Sequence, residues 1–400
     1  VSNAADGQAS LAPGFTAVLR REWQRLRRDP WDFGMLSWIP VAVCVLIWWI
    51  FATGIARDIP VVVIDKDQSS LSRSLVRMLD ESPGILVAAE LGSDEEATAW
   101  LRERRAYGVV IVPAAFQHDI LGGRSATVSW FYNGQFSVHV GGLTRDVRTV
   151  VSTLSAGIEM TARGKRGASP AQAAEQFEPI RLRLGTLYNE NANYESFLVL
   201  ALIPSMLQIF VAVAAITSVG RELRAGSVPQ WLETAGGSWT RAVAGKLAIP
   251  ALAFALQAAL FVIFFGAVRG WAIEGSGLMI CLGLLLLIAA YLGLGLLMIA
   301  ITLTLRNALS AAAFVTAPAF AFSGQGYPLS AMPALARGWA EALPLTHYLQ
   351  LQGKHWLAGA PWTYGVNDAL VLLAFAVGTG GAGLWLLKQR AGQPSAWGRT

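Results

Sequence analysis

Charge is scarce in this chain. Of its 400 residues only 14% are Asp, Glu, Lys or Arg, while 54% are hydrophobic; an ordinary soluble domain carries about a quarter charged residues. A wholly soluble globule is thereby excluded, and much of the chain is expected to lie in lipid. Cysteine is nearly absent. Cys44 and Cys281 both sit inside apolar runs, which excludes a disulfide framework or a zinc site and leaves packing as their expected role. The four histidines, His118, His139, His347 and His355, have no metal-ligand spacing, so structural or solvated roles are expected. No phosphate-binding G-x-x-x-x-G-K-[ST] loop occurs: "AVAGKLAIP" offers Gly245 and Lys246 without the first glycine or the hydroxyl after the lysine. No G-x-S-x-G, H-E-x-x-H or C-x-x-C is present either. The chain is therefore not expected to be an enzyme, and any ATP must be hydrolysed elsewhere. The net charge of +5 does not form a nucleic-acid face, since Arg and Lys are scattered apart from a cluster before the first apolar run.

What is present in abundance is long apolar sequence. A helix rises about 1.5 Å per residue and needs roughly 20 apolar residues to cross a hydrocarbon core of about 30 Å. Six runs meet or approach that length, at about 35–54, 196–218, 247–268, 278–305, 308–322 and 367–387. The first could be a signal peptide, given the small residues Ala52, Gly54 and Ala56 after it. It is longer than the usual h-region of about 7 to 15 residues, and Trp48, Trp49 and Phe51 crowd the would-be cleavage region, so an uncleaved span is the preferred reading. The fifth run is short, carries Pro318 and ends in "FSGQGYP", which predicts a bent span.

Alternating six spans from a cytoplasmic N-terminus puts Arg221, Arg224, Arg241, Lys246, Arg306, Lys388, Arg390 and Arg399 inside. The short outer segments then hold only Arg269, Arg337 and Lys354, as the positive-inside rule requires. The resulting divisions are an N-terminal amphipathic helix (1–34), a first span (35–57), an outer domain (58–195), a second span (196–218) and a cytoplasmic segment (219–246). Three further spans (247–322), an outer re-entrant or interfacial segment (323–365), a sixth span (366–388) and a cytoplasmic tail (389–400) complete them. The spans hold almost no ionisable residues, which disfavours an ion-coupled transporter. Trp49, Gln208 and Gln257 are candidate pathway residues for an amphiphilic, lipid-like or drug-like cargo, with helix packing as their alternative role.

Between the first two spans the pattern becomes that of a soluble α/β domain. "PVVVI", "GILVAA", "YGVVIVP" and "ATVSWFY" read as strands. Ser69 or Ser70 is a candidate helix cap, and Ser93 to Glu96 form a capping-box signature. "AAFQHDILGG" reads as a short helix, 137–163 as a longer one, and Ser169 with Pro170 as a new helix start. Asp65 and Asp67 could form a carboxylate pair, but capping and turn formation are the preferred roles.

Four motifs in order around these spans resemble the permease subunits of ABC-2 type exporters, in the branch with a large external domain after the first span. "REWQRLRRDPWDF", with Glu22, Trp23, Arg28 and Asp29, is similar to the family's amphipathic helix before the first span. "VVIDKDQSSLSR" resembles its D-x-D-x-S-x-x-S-R start to the external domain. "YGVVIVPAAF" resembles a later strand-Pro-Phe element, and "SGQGYPLSAMP" the motif after the fifth span. Nearly the whole chain is covered. In "GRELRAGSVPQWLETAGGSWTRAVAGK", Glu222, Gly226, Ser227, Leu232, Thr234, Gly245 and Lys246 fall where the family carries E-x-x-x-G-T, Leu, Thr and a terminal G-K. Where the family often has Pro after that Thr, this sequence has Ala235, Gly236 and Gly237.

The resemblance implies a six-span α-helical membrane protein of the ABC-2, type V exporter-like kind, with an inserted extracytoplasmic mixed α/β domain. It further implies a coupling helix, with Glu222, Gly226, Ser227, Gln230, Trp231, Leu232, Glu233 and Thr234, docking on an ABC ATPase subunit that holds ATP and Mg. This chain itself would bind no cofactor. By residue chemistry alone the segment is too polar to span and carries Trp231 and Leu232 among charges, as a partner-binding or membrane-surface helix would. Two permease chains, identical or homologous, are expected to pair in a bacterial inner membrane with both termini cytoplasmic. The external domain would extend the route, gate the exit or hold a periplasmic adaptor. The rival from another class is a non-transporting membrane receptor or scaffold whose external domain binds a ligand or partner.

Overall fold

Asp29 ends one helix and starts the next. In the computed structural model, which describes residues 12–54, 57–122, 124–132, 137–165, 193–394 and 397–398, helix α1 (Phe15–Arg28) buries the stripe Val18, Glu22 and Leu26, four residues apart on one helical face. Pro30 disfavours helical backbone at the residue before it, and Asp29 is extended there (φ −114°, ψ 95°). Its carboxylate instead accepts the N–H groups of Trp31 (3.1 Å) and Asp32 (3.2 Å), capping α2 (Pro30–Leu36). A second break at Ser37 leads into α3 (Trp38–Phe51), bent 45° from α2. The helical structure around the first apolar run is thus a bent pair beginning at Pro30. The reason lies in Pro40. It lacks the N–H that would bond the Leu36 carbonyl one turn earlier, and Gln257 Nε2 takes that carbonyl instead at 2.8 Å.

Thr53–Tyr194 form a unit of their own. Its strands are β1 (Ile59–Asp65), β2 (Ile85–Glu90), β3 (Gly108–Val112) and β4 (Ser129–Tyr132), in the order β2-β1-β3-β4. β1 runs parallel to β2 and β3, and β4 is antiparallel to β3. β1 is apolar without alternation because both its faces are covered. Val61 and Val63 pack with Leu75, Leu79 and Val110, while Val62 and Ile64 pack with Ala97 and Val109. The connecting helices are α4 (Ser70–Asp80), α5 (Asp94–Arg102), α6 (Phe116–Leu121) and α7 (Ser137–Lys165). Of the two candidate caps of α4, Ser69 serves, in a capping box with Ser72; Ser93 caps α5. Asp65 accepts from Asp67 N (3.0 Å), Gln68 N (3.0 Å) and Ser72 Oγ (2.6 Å), and Asp67 from Gln117 N (3.1 Å). Both carboxylates fasten turns, as preferred from sequence. The expected helix start at Ser169 and Pro170 lies outside the described residues.

The remaining chain joins α1 to α3 in a helical unit. A π-turn (Glu195–Val199) opens α8 (Leu200–Ala225); α9 (Val228–Thr234) follows; α10 (Trp239–Ile263) ends in a π-turn (Phe264–Val268). Next come α11 (Gly277–Thr302), α12 (Leu305–Thr316), α13 (Ala319–Phe322), α14 (Ala334–Glu341), α15 (Pro344–Gln352) and α16 (Val366–Arg390). Among the described residues five helical runs are long and apolar enough to cross a membrane, six with the bent pair; the protein is a multi-pass membrane protein. α11 is its axis. A Cβ on Gly295 would stand 2.7 Å from the Ala212 carbonyl oxygen of α8, so small residues let these backbones approach.

Within 219–246 the chain is largely helical: α8 persists to Ala225, α9 follows, and α10 begins at Trp239. Within 323–365, α14 exposes Leu335, but α15 buries Leu345, Tyr348, Leu349 and Leu351 among the other helices. The apolar residues of α15 thus face protein.

Candidate functional site

Where α1, α2, α8 and α10 meet, eight charged side chains form an unbranched series of alternating sign. Arg21 NH2 pairs with Glu222 (2.9 Å), Glu222 with Lys246 Nζ (2.6 Å), and Lys246 with Glu22 (2.6 Å). Glu22 pairs with Arg25 (2.6 Å), Arg25 with Asp32 (2.6 Å), Asp32 with Arg221, and Arg221 with Asp29 (2.5 Å). Four cations thus neutralise four anions. The helical stripe of α1 aims Glu22 inward, and α10 carries Lys246 to it; the Lys246 side chain is 1% exposed. Taking such ions out of water costs several kcal/mol apiece and is offset only by close, hydrogen-bonded partners. Burial pushes the Glu22 carboxyl up, yet the Lys246 ammonium and Arg25 more than offset this and hold it below the usual range. The N–H of Asp32 and the Arg221 guanidinium likewise hold Asp29 low.

This ionic series seats the link between α8 and α10. α8 stops at Gly226, whose left-handed backbone (φ 66°) is one that glycine adopts at no steric cost. Ser227 Oγ then donates to Glu222 (2.5 Å). Trp231, fully buried, donates from its indole to the Ala242 carbonyl (3.2 Å) and stacks edge-on with Trp239. The Lys246 ammonium stands 5.7 Å from the Trp231 ring centroid. The N–H of Gly14 bonds the Thr234 carbonyl (2.9 Å), so the start of α1 holds the end of α9. What remains open to solvent on α9 is Pro229, Gln230 and Glu233, with Leu232 and Thr234 half-buried.

The residues expected to couple therefore fall into two groups. Gln230 and Glu233, with part of Leu232 and Thr234, face outward. Glu222 and Trp231 face inward and hold the link in place: one is paired with Lys246 and the other is buried beneath α9. Gly226 and Ser227 shape the turn. Of the residues before the first span, Glu22 and Asp29 belong to the ionic series, while Trp23 is exposed and lies under the Arg27 guanidinium; Arg28 is exposed. Sequence reasoning missed Arg21, Lys246, Arg221, Arg25 and Asp32 as members. A buried Glu on the inner stripe of α1 was the available signal, since such a residue demands a cation.

The candidate pathway residues serve main-chain carbonyls or face outward. Gln257 holds Leu36 at the broken first span. Gln208, 1% exposed, donates to the Thr316 carbonyl (3.2 Å) where α12 breaks before Pro318. Gln352 Nε2 does the same for Leu200 (2.8 Å), the carbonyl left unpaired by Pro204 within α8. Trp49 is 70% exposed on the outer surface of α3; its neighbour Trp48 turns inward and donates to Glu195 (2.9 Å), which also accepts two bonds from Arg269 (2.8 and 2.7 Å). A further, half-buried ion pair joins Lys354 to Asp368 (2.6 Å). Cys44 and Cys281 are unpaired thiols. Among the described residues no group of three or more His, Cys, Asp or Glu is arranged to hold a metal ion.

Residues 31–385 match the family described as ABC-2 family transporter protein. Two similar proteins, each called probable multidrug ABC transporter permease YbhR, come from Escherichia coli strain K12 and Escherichia coli O157:H7. Each is 23% identical over 377 residues, spanning 93% of this chain and 98% of the relative. The family match runs from the start of the broken first span nearly to the end of α16, taking in the α/β unit and the seated link between α8 and α10; this chain belongs to the ABC-2 family of transporter proteins.

Proposed function

We propose that this chain is the permease subunit of an ATP-driven exporter in a bacterial inner membrane, powered by a separate ABC ATPase that docks on α9. The observation that carries the proposal is the ionic series itself. It welds α1, α2, α8 and α10 around α9 and leaves Gln230 and Glu233 outermost, so a push on α9 reaches four helices at once. Membership of the ABC-2 family implies an ATPase partner, and the chain's own sequence offers no phosphate loop. A second permease chain, identical or homologous, would complete the transporter. Approach of two ATPases would draw the two α9 segments together and change which side of the membrane the pathway faces. Both termini lie in the cytoplasm in this reading. The α/β unit lies outside it, where it extends the route, gates the exit or holds a periplasmic adaptor. The cargo is amphiphilic, lipid-like or drug-like, in keeping with the multidrug name of the two relatives.

The test is purification of the tagged protein from its native host in mild detergent, with Gln230→Arg/Glu233→Arg run in parallel. Both positions are exposed, so the variant keeps its fold. A stoichiometric ATPase with wild type and its loss with the variant are expected. An ATPase absent under several detergents, or one retained equally by the variant, overturns the proposal; the first outcome puts the receptor or scaffold reading in its place.

A further inference from the structure

Between α3, α8 and α10 lies a cavity of about 270 Å³. Val41, Cys44 and Trp48 line it from α3, Leu207 from α8, Phe261 from α10 and Leu284 from α11. The wall amide, Gln257, is already committed to the Leu36 carbonyl. Nothing there offers a water the two to four polar partners it needs, and an empty void would forfeit dispersion contacts on every wall. Small-molecule sites usually measure about 300 to 1,000 Å³, so this one suits a single chain better than a drug-sized body.

The mouth says what fills it. Val45 of α3 and Leu260 of α10 line the cavity and are each about half exposed, and Leu46, Ile50, Leu256 and Ile263 continue the same surface. That surface is apolar and exposed on helices of the membrane-spanning unit, so the cavity opens where lipid would lie. From Val41 to Trp48 it runs roughly 10 Å along α3, at about 1.5 Å per residue. At the Val41 end stands the Gln257 amide. At the other, Trp48 packs edge-on against Phe264 (5.1 Å) and its indole N–H reaches the Glu195–Arg269 pair. The order is a polar, charged end followed by an apolar slot.

We infer that this slot holds one acyl chain of a membrane phospholipid, which slips in sideways between α3 and α10 with its headgroup toward Arg269 and Glu195. The inference rests on the membrane placement of α3, α8 and α10 and is independent of the ATPase. Its test is photolabelling of the full chain in nanodiscs of phosphatidylcholine carrying a diazirine on one acyl chain, followed by peptide mapping. Adducts are expected on inward Leu207 and Phe261 as well as on exposed Leu252 and Leu256. A diazirine near the headgroup should favour the Trp48 end and one near the chain terminus the Val41 end. Cys44→Trp, which fills the slot, should remove the inward adducts at least fivefold and spare those on Leu252. Adducts confined to exposed residues in the wild type, or inward adducts unchanged by Cys44→Trp, overturn the inference. Loss of the ATPase in the purification above leaves these adducts unaffected, so the two readings fail separately.

Discussion

The Nζ of Lys246 stands 2.6 Å from a Glu22 carboxylate oxygen although 224 residues separate them, and each side chain is only 1% exposed. Lys246 meets Glu222 at the same distance. One ammonium thus joins the helix before the first span to the ends of the second and third.

Removing that ammonium should be costly. Lys246→Met leaves two buried carboxylates facing each other, and breaking a buried pair costs about 3–5 kcal/mol. A correspondingly lower unfolding midpoint in detergent is expected, while Glu22→Gln/Lys246→Met/Glu222→Gln, which removes the charges together, should regain most of it. A single variant as stable as wild type would show that the ammonium contributes nothing.

The same pair gives a pH signature. Because the folded Glu22 carboxyl is held below its ordinary value, its contribution is complete above the unfolded glutamate value of about 4.3 and disappears as pH falls through the lower, folded one. The stability difference between wild type and Glu22→Gln should therefore be flat from pH 8 to 5 and shrink below about pH 4. A difference that instead fades between pH 6 and 8 would assign the effect to another group.

Pro40 and Gln257 should be energetically coupled. Gln257→Leu orphans the Leu36 carbonyl, a loss of about 1–3 kcal/mol. Pro40→Ala restores a helical N–H for that carbonyl, so it should rescue Gln257→Leu while doing little in the wild type. A coupling energy of about 1 kcal/mol or more is expected from the four-way comparison of unfolding midpoints. Strict additivity would mean that the amide and the proline act separately.

In the α/β unit, Asp65→Ala removes three accepted bonds from the turn between β1 and α4. A destabilisation of about 1–3 kcal/mol is expected, read as faster proteolysis within residues 57–80 of the full chain. Millimolar Mg or Ca should leave the wild-type rate unchanged, since the carboxylates are occupied by N–H and hydroxyl groups. Protection by either ion would revive a metal role for Asp65 and Asp67.

What the sequence reveals here is whatever is local. Ser69 and Ser93 announce their helices because a cap acts within three residues, and the strands of the α/β unit are runs of Val and Ile bounded by turns. Apolar length gives the spans. The ionic series is not legible in this way: Arg21 and Glu222 are 201 residues apart and Arg221 and Asp29 are 192 apart, and nothing in either neighbourhood names the partner. The partners of the glutamines are hidden for the same reason. Gln208 and Gln257 look like polar points on a pathway, while their partners are carbonyls set free by distant helix breaks. Glu222 and Trp231 match the family pattern of a docking segment, but the pattern does not say which way a side chain turns, and burial decides that.

The long reach of Lys246 also sets a timetable. A ribosome adding about 5–20 residues per second completes Glu22 roughly 10 to 45 seconds before Lys246 follows it, 224 residues later. Through that interval Glu22 has Arg25 but not Lys246, and α1 cannot settle where it will finally lie. Closure of the ionic series therefore marks the moment when synthesis has passed the start of α10. A chain cut short before that point has Glu22 paired to Arg25 but not to Lys246, and α1 without the helix against which it packs.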